Sequence, residues 1–190
     1  MLPTIQELRR PLNDLQLQPC DDFSYKTLKR YQDVGCLDFD VFLPTRAINL
    51  QRAFVWALEQ KREFILSIVK NPTYIPRVAF LMKPPKSEDP TSCLDTIQVI
   101  DGKQRVRSFM SFIEGEYSLV YKREEYTFND LPHDWQRSIK TFTMRAYLCY
   151  EPIDKPLRDD QKIAWFTLIN FAGTPQERKH LNLLNQKVQS

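Results

Sequence analysis

The stretch from Asp95 to Gly115 constrains the fold of this chain more than any other. It contains a short apolar run, Ile97 to Ile100, followed by an Asp101-Gly102 turn and an amphipathic segment. Four apolar residues of that segment recur at i, i+3, i+4 and i+7, the spacing of one helix face: Val106, Phe109, Met110 and Ile113. Gly115 supplies a stop signal after them. The pattern predicts a buried strand, a sharp turn and an amphipathic helix.

The predicted helix begins with an excess of positive charge. Lys103, Arg105 and Arg107 occupy its first turns, where the helix dipole is already positive and backbone N–H groups have no intrahelical partner. An anion such as phosphate would satisfy the cations, the dipole and the N–H groups together. Alternatively, Asp101 caps the helix, Gln104 reaches back in a capping box, and the basic side chains point into solvent. The spacing alone leaves both interpretations open.

Composition narrows the class of protein. The 190 residues suggest one domain. Four glycines against thirteen prolines argue against a glycine-rich nucleotide site, and neither the P-loop motif nor the dinucleotide-binding glycine motif occurs. The formal net charge of +3 is too small to predict nucleic-acid binding by itself. Contact with DNA would therefore need a local basic patch.

The sequence also indicates a cellular setting. The first ten residues lack the apolar core of a secretory signal, and no apolar run approaches the about 20 residues that span a membrane. The four cysteines contain no C-x-x-C pair, so neither metal ligation nor a disulfide framework is expected of Cys20, Cys36, Cys93 and Cys149. We expect a cytoplasmic protein that has no membrane partner.

Strands and helices alternate along the chain. Apolar runs and alternation predict strands at residues 37–43, 76–82, 96–100, 117–121 and 143–150. Helical periodicity predicts helices at 22–31, 58–70, 132–141 and 157–170, and a capping box at Thr174 to Glu177 predicts a closing helix. The alternation predicts an α/β or α+β fold, and we expect an α+β fold with a small mixed β-sheet flanked by helices. We expect an N-terminal extension, residues 1–21, and a single domain, residues 22–190.

The segment from Pro44 to Trp56 has no clean period and predicts a structured loop. It combines polar with large apolar residues: Asn49, Gln51, Arg52, Phe54 and Trp56. Loops that carry both apolar anchors and polar groups often bind ligands. The alternative is that the aromatic residues are ordinary core and that Arg52 is a surface charge.

Three separated segments resemble one known family and appear in the order that it shows. They are the loop Asn49 to Trp56, the turn Val99 to Arg105, and the late segment Ile169 to Thr174. The chain resembles, over about residues 22–185, the domain family with a D-G-Q-Q-R signature. That family forms the N-terminal part of GmrSD-type modification-dependent restriction enzymes and of related phage-defence proteins. It is akin to the ParB and sulfiredoxin fold.

The resemblance implies a nucleotide site. Arg105 and the backbone N–H groups of residues 103–105 would grip phosphate. Asp101 would hold a magnesium ion or orient water, and Gln104 would bond phosphate or the attacking water, so that Asp101, Gln104 and Arg105 form the implied catalytic set. Further residues would complete the nucleotide-binding surface: Gln51, Arg52, Gly102, Lys103, Asn170 and Thr174.

The chain departs from the family pattern in two respects. Lys103 stands where the family usually has glutamine, which adds charge toward phosphate and leaves hydrolysis open. The restriction enzymes also carry an H-N-H nuclease site, whereas His133 and His180 are the two histidines here and no such motif follows residue 185. The metal-dependent DNA cutting of those fusions is therefore not expected of this chain.

Three functions follow from these patterns. The first is a nucleoside triphosphatase that acts as a sensor or switch in DNA-directed phage defence or phage biology, with magnesium as cofactor. The second is a ParB-like protein that binds or nicks DNA through basic residues: Lys26, Lys29, Arg30, Lys61 and Arg62. The third is a non-catalytic protein that kept the fold and binds a separate nuclease or another host or phage protein.

Overall fold

The computed structural model describes residues 4–13, 15–43, 46–51, 53–85 and 95–171. The helices are α1 (Ile5–Asn13), α2 (Tyr25–Asp33), α3 (Leu58–Lys70), α4 (Lys103–Ile113), α5 (His133–Thr141) and α6 (Asp159–Phe171). The strands are β1 (Gln16–Ser24), β2 (Leu37–Asp38), β3 (Phe42–Leu43), β4 (Arg46–Asn49), β5 (Val78–Lys83), β6 (Thr96–Asp101), β7 (Leu119–Tyr121), β8 (Glu124–Tyr126) and β9 (Thr143–Tyr150).

Five of these strands form a mixed sheet in the order β1-β9-β5-β6-β2. The pairs β1–β9 and β5–β6 are antiparallel, whereas β5–β9 and β2–β6 are parallel. Two small antiparallel ladders, β3–β4 and β7–β8, lie outside this sheet. The predicted α+β fold with a small mixed sheet is confirmed.

Both faces of the sheet are covered. In β5, Val78, Phe80 and Met82 face a core to which α2, α3, α4 and α5 contribute, whereas Ala79 and Leu81 face a second core that includes residues of α6. A strand buried on both faces reads as a continuous apolar run, which explains why β5 shows no polar alternation from Val78 to Met82.

The predicted strand–turn–helix is β6 followed by α4. Its interior stripe is buried as expected: Val106, Phe109 and Met110 are at most 3 % exposed. The helix ends at Ile113, and Gly115 follows with a φ angle of +80°. The apolar periodicity therefore predicted both the element and the face that it buries.

The strand predicted at residues 37–43 is wrong as a single element. It is divided into β2, which runs parallel to β6, and β3, which pairs with β4 inside the segment predicted to be a loop. The division follows from a side-chain turn, because the Oδ1 atom of Asp38 accepts the backbone N–H of Asp40 at 2.8 Å. Asp side chains compete for backbone donors in this way and interrupt strands.

The helix predicted from residue 22 begins instead at Tyr25. Residues 16–24 form β1, the edge strand that pairs with β9, so residues 16–21 of the predicted extension belong to the sheet. Pairing with β9 outweighs the helical periodicity that predicted a start at residue 22. The division of the chain at residues 21 and 22 stays a prediction, and the capping box at Thr174 to Glu177 lies outside the described residues.

None of the helices in the described part of the chain is long and apolar enough to cross a membrane.

Candidate functional site

The junction between β6 and α4 is a single glycine. Gly102 has a φ angle of +94°, and a Cβ atom added there would lie 2.3 Å from the Cγ1 atom of Val78. Only glycine combines this left-handed conformation with so close an approach. The strand therefore turns into the helix within one residue, and the start of α4 lies directly beside β5.

The capping-box interpretation of this junction is wrong. Gly102, not Asp101, is the N-cap of α4, and no side chain among the described residues caps it. Asp101 is the last residue of β6, and Gln104 points away from the cap toward another loop. The first helical bond runs from the N–H of Val106 to the carbonyl of Gly102 at 2.8 Å. The N–H groups of the three residues before Val106 therefore lack an intrahelical acceptor.

The side chain of Gln104 fixes the upstream loop. It is 7 % exposed, and its Oε1 atom accepts the N–H groups of Val55 and Trp56, both at 3.1 Å. Its Nε2 atom donates to the carbonyl of Ala53 at 3.2 Å. The amide is thus occupied by the loop backbone. The contact with phosphate or the attacking water that was expected of Gln104 stays a prediction.

Gln51 makes the reciprocal connection from the loop to the sheet. Its Nε2 atom donates to the carbonyls of Val99 and Ile100, at 2.7 and 2.6 Å, near the end of β6. Its backbone N–H is accepted by the Oδ1 atom of Asn49 at 3.0 Å. The loop predicted from its mixed composition is therefore fastened to the strand–helix junction at two points, Gln51 and Gln104.

Lys103 is buried and paired. The residue is 7 % exposed, and its Nζ atom lies 3.2 Å from the Oδ1 atom of Asp40. The same Oδ1 atom accepts Nδ2–H of Asn49 at 2.9 Å. The hydrogen bond from Asn49 and then that from Lys103 hold the pKa of the Asp40 carboxyl below its ordinary value.

Asp40 was not among the site residues expected from the sequence, which assigned it only to the strand predicted at residues 37–43. One signal could have found it. A lysine that is buried needs a charged partner, and the segment predicted as a strand at residues 37–43 offers two carboxylates, Asp38 and Asp40. The parallel pairing of Leu37 with Ile97 brings that segment alongside β6.

Arg105 lies on the other side of the junction. Its Nη1 atom donates to the carbonyl of Pro76 at 2.9 Å, and its Nη2 atom contacts the Oδ2 atom of Asp101 at 2.7 Å. Arg107 is exposed, with its guanidinium 4.6 Å from the ring centre of Phe39. The positive charge of Lys103 and Arg105 is therefore balanced by two carboxylates of the chain itself.

The first residue of the third sequence segment lies near this junction. Ile169 in α6 packs against the apolar cluster that contains Leu50 and Ile100. Asn170 lies in the last turn of α6, and its side chain is outside the described residues, as are Arg52 and Thr174 entirely. The structure thus brings Gln51 together with residues 101–105, and the roles expected of the other three residues stay predictions.

The comparison with protein families agrees with this convergence. Residues 44–187, more than half of the chain, match the family described as GmrSD restriction endonuclease, N-terminal domain. The chain belongs to that family. The match covers the loop, the strand–helix junction and the late segment, and it relates the chain to restriction enzymes.

No curated protein and no solved structure matches this GmrSD N-terminal domain. Its likeness to the ParB and sulfiredoxin fold therefore stays a prediction.

The magnesium role expected of Asp101 stays a prediction. The described residues contain no group of three or more His, Cys, Asp or Glu side chains arranged to hold a metal ion. Magnesium is usually held in nucleotide sites by one or two carboxylates together with phosphate oxygens. Asp101, whose side chain is 26 % exposed, would suit that mode of binding.

The basic residues considered for DNA contact are partly engaged within the fold. The Nζ atom of Lys29 lies 2.6 Å from a carboxylate oxygen of Asp33, and the Nε atom of Arg62 donates to the carbonyl of Ser118 at 2.9 Å. These two side chains are held by intramolecular contacts, so they offer less charge to a phosphate backbone than the sequence indicates.

Proposed function

We propose that this GmrSD N-terminal domain binds a nucleoside triphosphate at the start of α4, hydrolyses it, and acts as a sensor or switch in restriction-related phage defence directed at DNA. The observation that supports the proposal is the uncapped start of α4, where backbone N–H groups at residues 103–105 lie between Lys103 and Arg105. Such helix starts bind phosphate readily.

Phosphate held at this junction meets three kinds of donor. The backbone N–H groups have no intrahelical acceptor, and the guanidinium of Arg105 has a planar set of donors suited to phosphate. The contacts of Arg105 with Pro76 and Asp101 pre-orient that guanidinium. Lys103 adds a second cation from the opposite side.

Two other side chains prepare the site without contacting phosphate. Gln51 and Gln104 fasten residues on both sides of Arg52 to the junction, and the role proposed for Arg52 is to contact the nucleotide. We assign to Gln104 a positioning role. A magnesium ion bound by Asp101 and phosphate oxygens would supply positive charge where negative charge develops during phosphoryl transfer.

The proposal is tested by isothermal titration of the wild-type chain with ATP, GTP and CTP, each in the presence of magnesium, together with an assay for phosphate release. We expect one of the nucleotides to bind and to be hydrolysed. Arg105→Ala should weaken its binding about tenfold or more, because a hydrogen bond to a charged group contributes about 1.5–3 kcal/mol.

Arg62→Ala is the matched control for Arg105→Ala. Both arginines donate to a backbone carbonyl and contact a carboxylate, and their side chains are 18 % and 14 % exposed respectively. Arg62 lies on α3, away from the junction, so its loss removes the same charge without removing a phosphate contact. If no nucleotide binds, or if both variants bind as the wild type does, the proposal is wrong.

A further inference from the structure

The two cations at the start of α4 are both neutralised within the fold. Lys103 pairs with Asp40 at 3.2 Å and Arg105 with Asp101 at 2.7 Å, so these four side chains carry no net charge. Phosphate sites usually present uncompensated positive charge. A phosphate that reaches this junction must compete with two carboxylates for the same donors.

Asp40 is fixed in place and is not a loose surface partner. Its backbone N–H is accepted by Asp38, its carbonyl accepts Nε2–H of Gln98 at 2.8 Å, and its carboxylate accepts Nδ2–H of Asn49. The side chain of Asp40 is 49 % exposed, whereas that of Lys103 is 8 % exposed. The carboxylate thus stands at the outer end of a buried lysine side chain, where an incoming ligand would meet it.

The neighbouring side chain of Gln98 adds a polar group to the surroundings of Asp40. The residue is 2 % exposed, and its Oε1 atom has no hydrogen-bond partner among the described residues. Its Nε2 atom also contacts a carboxylate oxygen of Asp38, at 3.2 Å. A buried acceptor without a donor is costly. In addition to the Asp40 carboxylate, the Oε1 atom of Gln98 is therefore a second hydrogen-bond acceptor beside Asp40.

We infer that Asp40 is a positioning residue that holds the ammonium of Lys103 and sets the net charge of the site. As a result, the site binds a nucleotide as its magnesium complex and rejects a phosphate compound that carries no divalent cation. The inference rests on the proposed function. Its physical basis is charge balance: the two carboxylates repel a bare polyphosphate and attract one that brings its own positive charge.

The test compares three ligands by titration: ATP with magnesium, ATP with a chelator, and inorganic pyrophosphate with a chelator. The wild type should bind the magnesium complex at least about tenfold more tightly than free ATP, which corresponds to about 1.4 kcal/mol. In Asp40→Asn, which keeps the shape of the side chain, that preference should fall to about threefold or less. Pyrophosphate should bind Asp40→Asn about threefold or more tightly than the wild type.

Asp33→Asn is the control, because it removes one carboxylate that is also paired with a lysine but lies on α2. It should keep the preference of the wild type. Lys103→Gln shifts the charge balance in the opposite direction and should increase the preference for the magnesium complex. If Asp40→Asn does not fold, as judged by circular dichroism, the titration of Lys103→Gln tests the inference in its place.

The failures of the two proposals are distinguishable. If the wild type binds ATP equally with magnesium and with chelator, the inference is overturned and the proposed nucleotide site stands. If the wild type binds none of the three ligands, the proposed function itself fails. If Asp40→Asn, or Lys103→Gln in its place, keeps the preference of the wild type, Asp40 does not set the charge of the site.

Discussion

Two strand–helix junctions in this domain have opposite chemistry. At the junction of β1 and α2, Ser24 ends the strand and caps the helix, with its Oγ atom accepting the N–H of Thr27 at 3.2 Å. At the junction of β6 and α4, Gly102 has no side chain to offer, and Lys103 and Arg105 follow it. Both helices pack on the same face of the sheet. The two junctions therefore belong to the same layer of the fold, and they differ in the residues at the helix start.

The comparison indicates that the start of α2 serves the fold, whereas the start of α4 is open to a ligand. Ser24 satisfies one of the free N–H groups of α2 from within the chain, as N-cap residues generally do. At Gly102 the free N–H groups of α4 remain without such a cap, and they lie beside Lys103 and Arg105, each of which is paired with a carboxylate. A start of this kind gains more from a bound anion than an ordinary start does.

The largest expected effect is that of Gly102→Ala. The added Cβ would overlap with Val78 and would sit at positive φ. Overpacking costs about 1–3 kcal/mol and a left-handed alanine about 1–2 kcal/mol, so we expect a loss of about 3 kcal/mol in the free energy of unfolding. Urea denaturation measures it. Gly115→Ala is the control, because its φ is +80° but nothing lies within 4 Å.

That control should lose only the backbone term, about 1–2 kcal/mol. Equal losses in the two glycine variants would show that the close approach to Val78 does not matter. The junction of β6 and α4 would then be no more constrained than an ordinary helix end.

The next effect is that of Gln104→Ala. The substitution leaves two backbone N–H groups and one carbonyl of the loop without their partner, and we expect a loss of about 2 kcal/mol in the free energy of unfolding. It should also increase amide hydrogen exchange at Val55 and Trp56. Gln60→Ala removes a comparable but exposed contact with the N–H of Ala57 and should cost under about 1 kcal/mol.

If Gln104→Ala leaves exchange at Val55 and Trp56 unchanged, the loop is held by its apolar residues alone. The positioning role that we assign to Gln104 would then be wrong.

A smaller effect on stability is expected at the junction of β1 and α2. Ser24→Ala removes the cap of α2 and should lower the free energy of unfolding by about 1 kcal/mol, as measured by thermal unfolding. It should leave nucleotide binding unchanged, because α2 contributes nothing to the proposed site. A change in nucleotide affinity would contradict the separation of the two junctions.

The smallest expected effect is a change in thermal stability at low pH. The pKa of Asp40 is lowered from its ordinary value of 3.8, first by Asn49 and then by Lys103. A group with a lowered pKa stabilises the fold above its unfolded value and loses that contribution as the pH falls through the folded value. The difference in melting temperature between wild type and Asp40→Asn should therefore be present at pH 6 and shrink below about pH 3.8. A difference that is constant across this range would mean that Asp40 is not stabilised by its partners.

The sequence predicted the elements whose apolar patterns are strong. The helix at residues 58–70 and the strand at residues 143–150 were predicted with the bounds that the structure shows, because each buries one continuous or alternating apolar face. The start of α2 was predicted three residues too early, since the pairing of β1 with β9 is not visible in local sequence.

The contacts within the candidate site were not predictable in the same way. Gln104 meets Val55 and Trp56 across 49 and 48 residues, and Lys103 meets Asp40 across 63. No local pattern specifies which distant carboxylate or carbonyl a polar side chain will reach. The ligand contact expected of Gln104 stays a prediction, and its hydrogen bonds to the loop were not expected from the sequence.

What the sequence determined by itself was the strand, the turn and the amphipathic helix of residues 96–113, since hydrophobic periodicity and a glycine that tolerates positive φ are local properties. What only the tertiary structure decided was the state of the charges at that turn. Asp40 reaches Lys103 because β2 lies beside β6, and the balance between cations and carboxylates follows from that pairing.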